Sequence, residues 1–131
     1  MRRHDWPERL AASIRTARSK AFSDDYYCVT FAADCVLAMT DVDYLADYRG
    51  QNMEVALENL KAAGHSSFYH YMVKTFGKPI PVSRAQRGDV IIRTKPHVIT
   101  GICCGQNTAY PTDEGLTYYP TLEQRWCFPV R

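Results

Sequence analysis

The sequence predicts an α+β domain in which N-terminal helices pack on a C-terminal antiparallel sheet. Two observations support this fold class. Apolar residues recur with a helical period in the first half of the chain, and short alternating runs typical of strands follow from residue 89 onward. The chain has 131 residues, the size of one ordinary domain, so we expect a single domain over residues 1–131.

Composition excludes several classes of protein. Hydrophobic residues at 46% and charged residues at 23% are typical of a folded globular chain. No apolar run approaches the roughly 18 residues of a membrane helix, so we predict no membrane span. Acidic residues within positions 1–8, where a signal peptide needs its apolar segment, argue against secretion by that route and favour synthesis in the host cytoplasm. Five cysteines are too few for a disulfide scaffold.

The charge balance argues against a nucleic-acid-binding protein. A formal net charge of +2 is small beside the strong basic surface that such proteins carry. Basic residues nevertheless concentrate near the N-terminus, where they could contact phosphate or an acidic partner, although a solvated helix face is the simpler interpretation. They are Arg2, Arg3, Arg9, Arg15, Arg18 and Lys20.

Two helices are predicted in the first forty residues. The first extends from about residue 6 to residue 19, with Asp5 as its cap and Pro7 in its first turn. The second has the clearest pattern in the sequence, an apolar stripe of period 3.6, with Asp24 and Asp25 ahead of it as candidate caps. The stripe comprises Cys28, Phe31, Ala32, Cys35, Val36 and Met39.

Two shorter helices and a meander of strands follow. The third helix begins at the cap Asn52, has Met53, Ala56, Leu57 and Leu60 on its inner face and stops at Gly64. The fourth begins near Ser66 and ends at Gly77. Strand-like segments are then predicted at 89–93, 97–104, 108–110, 116–119 and 126–130. Turns rich in Gly, Pro, Asn and Asp separate them.

Chemical motifs are few, and a metal site is a weak candidate. The sequence contains no phosphate-binding glycine loop, dinucleotide fingerprint, His-Glu-x-x-His or Gly-x-Ser-x-Gly motif. A metal would need scattered ligands such as Cys103, Cys104, Cys127 and His97. Adjacent residues on a strand point to opposite faces, which makes it awkward for Cys103 and Cys104 to ligate one ion together. Both are more simply interpreted as small buried hydrophobic residues.

A reactive thiol is the other possibility. Cys28 is predicted at the start of the second helix, where free N–H groups and the helix dipole stabilise a thiolate. An imidazole such as that of His97, on a later strand, could act as its base. Cys28 also fits the apolar stripe, so a buried core position remains the alternative.

Several segments resemble the NlpC-type papain-like cysteine peptidases. These are 27–36 (YCVTFAADCV), 87–92 (RGDVII) and 101–105 (GICCG). A more specific resemblance, to small proteins encoded among the tail-tip genes of tailed phages and prophages, lies in 4–10 (HDWPERL), 31–36 (FAADCV), 49–50 (RG) and 85–90 (AQRGDV). Those proteins are regarded as distant relatives of the NlpC-type fold.

The resemblance implies a papain-like fold and a function. It gives Cys28 the position of the nucleophile and makes His97 the candidate base, while the strand after Gly105 offers Asn107 as the third residue. It implies a hydrolase that cuts amide bonds in cell-wall peptides, needs no cofactor or metal, and resides in the virion tail tip. Hub and distal tail proteins are then the expected partners.

The sequence also departs from the peptidase pattern. Tyr27 stands where those enzymes usually have Asp, and Ile99 stands where their His lies. His97 is two residues earlier, about 6.6 Å along a strand, whereas a hydrogen bond needs a separation of about 3 Å. A second hypothesis is therefore a catalytically inactive structural component of the tail tip, and a third is a Cys-ligated metal protein.

Overall fold

The structure, a computed structural model, describes residues 1–20, 28–93, 99–113 and 115–130, with residue 28 described by its backbone alone. Within these ranges the chain forms four helices and a six-stranded sheet. The helices are α1 (Trp6–Arg18), α2 (Cys28–Thr40), α3 (Met53–Ala62) and α4 (Phe68–Phe76). The strands are β1 (Ile80–Pro81), β2 (Val90–Arg93), β3 (Ile99–Cys103), β4 (Asn107–Thr112), β5 (Gly115–Pro120) and β6 (Trp126–Phe128). The α+β class predicted from the sequence is confirmed.

The sheet is antiparallel in the order β1-β6-β2-β3-β4-β5. Strands β2 to β5 form the predicted meander. The last strand does not extend it, because β6 returns across the sheet and pairs Phe128 with Val90. The short edge strand β1 pairs with β6 and was not predicted, since two residues carry no recognisable period.

The two faces of the sheet have separate apolar contacts. One face packs on the helices and forms the main core, to which the strands contribute Val90, Ile92, Ile102, Ala109 and Phe128. The opposite face carries a smaller outer cluster, made of Val82, Ile91, Cys103, Tyr110 and Cys127. Alternation along the strands therefore follows the period of two that the sequence shows.

Helix α1 has the predicted extent and inner face. Leu10 and Ile14 are buried in the main core, and a proline occupies the first turn. The prediction that Asp5 caps the helix is wrong. Asp5 precedes the first residue, but its side chain makes no capping hydrogen bond. Its carboxylate instead accepts hydrogen bonds from Arg9 Nε at 3.1 Å to each oxygen.

Helix α2 is the central element of the core. Its predicted stripe is buried at Phe31, Ala32, Cys35, Val36 and Met39. Val29 and Ala33 are buried as well, because α2 packs between α1 and the sheet and so has two covered sides. The candidate caps Asp24 and Asp25 lie outside the described residues.

The starts of α3 and α4 depend on side-chain caps. Asn52 accepts a hydrogen bond from the Val55 N–H at 2.9 Å, as predicted. Helix α4 is capped by Ser67 rather than Ser66, through the His70 N–H at 3.1 Å. The inner-face prediction for Met53 is wrong, since this side chain is 42% exposed. It lies in the first turn of α3, beyond the part that contacts the core.

Candidate functional site

The first residue of helix α2 is Cys28. The first N–H groups of an α-helix have no partner within the helix and form the positive end of its dipole. The first turn of α2 contains no acidic residue that would neutralise this end. A thiol at this position would have its thiolate stabilised by the helix, which is the electrostatic requirement for a nucleophilic cysteine.

The C-terminal end of α2 lies at the C-terminal end of β3. A Cβ atom built on Gly88 would lie 2.8 Å from the Met39 sulfur, and the Gly88 N–H donates to the Cys103 carbonyl at 2.8 Å. Helix α2 packs chiefly along β3 and to a smaller extent on β4. Its N-terminal end therefore points toward the end of the sheet where β3 begins.

The orientation of helix α1 gives independent evidence for the direction of α2. It is antiparallel to α2, because the Arg3 N–H near its start donates to the Met39 carbonyl at 2.7 Å. At its other end the Arg18 carbonyl oxygen lies 3.6 Å from a Cβ built on Gly115, the first residue of β5. Strands β3 and β5 both begin at this end of the sheet, so the start of α2 lies there too.

The start of β3 carries no imidazole among the described residues. Ile99, which occupies the position of the family's His by resemblance, packs against both the main core and the outer cluster. The next residue, Thr100, is 0% exposed and shares the helix-facing side with Ile102. Its hydroxyl has no hydrogen-bond partner within the part of the chain that the structure describes, so one polar group at this end of β3 is buried and unsatisfied there.

The other predicted site residues are not brought to this place by the described structure. His97 lies outside the described residues, as does the side chain of Cys28. Asn107 is exposed at the first position of β4, and its carbonyl accepts from the Cys104 N–H at 2.8 Å. It lies at the end of the sheet where β3 finishes, opposite to the end where β3 begins.

Burial argues against activation of two other thiols, those of Cys35 and Cys104. Burial raises the pKa of the Cys35 thiol to about 12, although Ser13 Oγ donates to its sulfur at 3.6 Å. Burial also raises the pKa of Cys104. Cys103 and Cys127 are buried in the outer cluster, whereas Cys104 packs on the helix side, which confirms that Cys103 and Cys104 lie on opposite faces. In the described part of the chain, no group of three His, Cys, Asp or Glu side chains could hold a metal ion.

Two ion-pair clusters were not identified from the sequence. Asp89 is fully buried and binds Arg2, which connects the RGDVII segment to the N-terminus. Arg49 joins two carboxylates, with Nη1 at 2.7 Å from Asp34 and Nε at 2.6 Å from Asp43. The sequence shows these charged residues in otherwise apolar or turn-rich segments. That pattern does not indicate which residues form ion pairs with each other.

The chain belongs to the family described as a domain of unknown function, DUF6950, which matches residues 1–130. No curated protein and no solved structure matches the chain significantly. Within the described ranges, none of the helices combines the length and apolar character required to cross a membrane.

Proposed function

We propose that this chain is a papain-like thiol hydrolase of NlpC type that acts at the tail tip of a tailed phage. Its substrate would be an amide bond in a cell-wall peptide, cleaved through a thioester on Cys28. The observation that carries the proposal is the direction of α2. A helix that begins at Cys28 packs along β3 with its N-terminal end at the end of the sheet where β3 begins.

His97 is close in the sequence to the start of β3, which supports its role as the base. His97 precedes Ile99 by two residues, so the chain can carry it no farther than about 7 Å from the start of β3. Ile99 itself contacts both sides of the sheet, so a side chain near this point can approach the helix side without following the strand alternation strictly. The proposal requires the His97 ring to lie within hydrogen-bond distance, about 3 Å, of the Cys28 thiol.

The reaction follows from these two groups. His97 removes the thiol proton, and the Cys28 thiolate attacks the amide carbonyl carbon. The tetrahedral oxyanion is stabilised by backbone N–H groups at the start of α2. The C–N bond then breaks, and the amine leaves with the proton from His97. Water, deprotonated by His97, attacks the thioester and releases the carboxylate product with regeneration of the thiol.

Asn107 has no role in this proposal. Its position at the opposite end of β3 is incompatible with orienting a ring near Ile99. The end of β4 that adjoins the start of β3 carries Thr112 instead, whose hydroxyl donates to the Gly115 carbonyl at 2.9 Å.

Peptide release from purified peptidoglycan tests the hydrolase. We expect wild type to release peptide fragments and Cys28→Ala to release none. Cys104→Ala is the matched control, because it removes a half-buried thiol from the other end of β3 and should retain activity. Equal release by wild type and Cys28→Ala would overturn the mechanism, and so would loss of activity in both variants with both still folded.

A non-catalytic component of the tail tip is the second candidate. The observation that favours it concerns Ile99. This apolar residue packs against two clusters, and it stands where the NlpC-type peptidases have their His. In this case the fold serves to bind hub or distal tail proteins. Co-purification of the chain with those proteins, unchanged by Cys28→Ala and without peptide release, is the expected result. Failure to associate together with Cys28-dependent hydrolysis would exclude it.

A further inference from the structure

A cavity of about 360 Å³ lies between α1 and the sheet. Its polar lining consists of three arginines, one tyrosine and one thiol, over an apolar base. We call it the arginine pocket: Arg15, Arg18, Arg87, Tyr118, Cys104, Ala11 and Ile14. Arg15 and Arg18 come from the last turns of α1, whereas Arg87 comes from the turn before β2 and Tyr118 from β5.

No described carboxylate forms an ion pair with the three guanidinium groups of the arginine pocket. Among the described residues, the ion pairs are made by other arginines, namely Arg2, Arg3, Arg9 and Arg49. No described carboxylate lines the cavity. Arg15 and Arg18 can be explained by the negative end of the α1 dipole, but Arg87 cannot. Arg15, Arg18 and Arg87 are all exposed, so an anion that enters the cavity from solvent would be attracted by their combined positive charge.

Two of the three arginines, Arg18 and Arg87, make contacts that restrict their side chains before any ligand binds. The Tyr118 hydroxyl oxygen accepts from Arg18 Nε at 3.3 Å and from Nη2 at 3.2 Å, which leaves its own O–H to donate. The Arg87 guanidinium carbon lies 5.7 Å from the centre of the Trp6 ring, within the range of a cation–π contact. Ordering these side chains in advance reduces the entropy that a ligand must overcome.

We propose that the arginine pocket binds a phosphoryl group of a small molecule. A carboxylate has two oxygens and one charge, which a single guanidinium can satisfy through two hydrogen bonds. A phosphoryl group offers three or four oxygens around a tetrahedral centre and up to two charges. Such a group can accept hydrogen bonds at the same time from donors on α1, on the turn before β2 and on β5. The inference is independent of Cys28 and goes beyond the proposed hydrolase.

Calorimetric titration of the full chain with inorganic pyrophosphate at low salt tests the proposal. We expect saturable binding of one pyrophosphate per chain, weakened about tenfold or more by Arg18→Gln or Arg87→Gln. Arg125→Gln is the matched control, because it removes an exposed arginine that does not line the pocket and should leave the affinity unchanged. Absence of saturable binding, or an equal loss in Arg125→Gln, would overturn the proposal.

Cys104 gives a second, site-specific measurement. Its thiol lines the same cavity, so bound pyrophosphate should slow the alkylation of Cys104 in wild type and not in Arg87→Gln.

Two further titrations identify the ligand chemistry. Citrate should bind more weakly than pyrophosphate, and tighter citrate binding would contradict a phosphoryl site. An oligothymidylate that binds while pyrophosphate does not would contradict a small-molecule ligand and assign the phosphoryl groups to a nucleic acid.

Discussion

Arg2 and Asp89 are 87 residues apart in the chain and form an ion pair with Nη2 and Oδ1 separated by 3.1 Å. The Asp89 side chain is 0% exposed and that of Arg2 is 11% exposed. The same Oδ1 accepts from the Val130 N–H at 3.0 Å, and Oδ2 accepts from the Gln86 N–H at 2.9 Å. One buried carboxylate thus joins the N-terminal segment, the turn before β2 and the C-terminal segment.

Replacement of Asp89 should therefore be strongly destabilising. In Asp89→Asn the Arg2 guanidinium loses its ion pair with residue 89. The amide N–H₂ group also replaces one carboxylate oxygen, so the N–H of either Gln86 or Val130 faces a donor instead of an acceptor. We expect the free energy of unfolding to fall by about 3–5 kcal/mol, measured by urea denaturation. The exposed Asp47 provides the control, because Asp47→Asn should change stability by no more than about 0.5 kcal/mol. Similar losses in the two variants would contradict the role of the pair.

A comparison of alanine variants at Gly88 and Gly50 distinguishes the cost of steric crowding from the cost of backbone strain. Both have positive φ values, +94° and +80°, so alanine pays a similar conformational cost at each, about 1 kcal/mol or slightly more. A Cβ on Gly88 would also lie 2.8 Å from Met39 Sδ and 3.0 Å from Arg2 Nη2, while a Cβ on Gly50 meets nothing within 4 Å.

We expect Gly88→Ala to be less stable than Gly50→Ala by about 1–3 kcal/mol, because Met39 is buried and Arg2 is bound to Asp89. Thermal and urea denaturation of the two variants measure the difference. Equal stabilities would show that the α2 end is not packed against the Gly88 turn, which would remove one of the two arguments for the direction of α2.

Thr100 and Thr108 are both fully buried in the sheet and differ in their hydrogen bonds. The Thr100 hydroxyl has no partner, whereas the Thr108 hydroxyl is 2.9 Å from that of Thr121. We expect Thr108→Val to destabilise the protein by about 1 kcal/mol, the net value of a hydrogen bond. Thr100→Val should be neutral or stabilising, since it removes an unsatisfied polar group. Loss of stability in Thr100→Val comparable with that of Thr108→Val would refute this.

The burial of Cys35 predicts a dependence of stability on alkaline pH. The thiol titrates near 9.0 when unperturbed and at about 12 in the folded protein. Between these values the unfolded chain loses the proton while the folded chain keeps it, so the free energy of unfolding should decrease as the pH rises through this interval. The slope approaches about 1.4 kcal/mol per pH unit for one proton. Cys35→Ala should lack this contribution, and identical pH profiles for the two proteins would contradict it.

The periodic elements could be predicted from the sequence because their signals are local. The stripe from Phe31 to Met39 and the cap at Asn52 depend on residues within a few turns of each other. Asp5 has the composition of a cap, yet Arg9, one turn later, competes for its carboxylate. Which of two local partners a side chain selects depends on small energy differences that a sequence pattern does not contain.

The long-range features could not be predicted in the same way. The return of β6 to pair with β2, the Arg2–Asp89 pair and the convergence of Arg87 on α1 all join segments far apart in the chain. Each requires the topology before the partners can be named. For the candidate site, the sequence correctly predicted a helix that begins near Cys28, but the position of Asn107 at the far end of β3 depends on strand direction and register.

The pH dependence of site-mapped alkylation at Cys28 tests the central claim most directly. Each thiol is followed separately in native wild type and in His97→Ala, with Cys35 as the internal reference for a protected thiol. The account predicts that Cys28 reacts fastest at neutral pH, with an apparent pKa between about 3.5 and 7.5, and that it slows in His97→Ala. A Cys28 that titrates near 8.5 or above, or that is unaffected by His97→Ala, would contradict the hydrolase and favour the second proposal, a non-catalytic component.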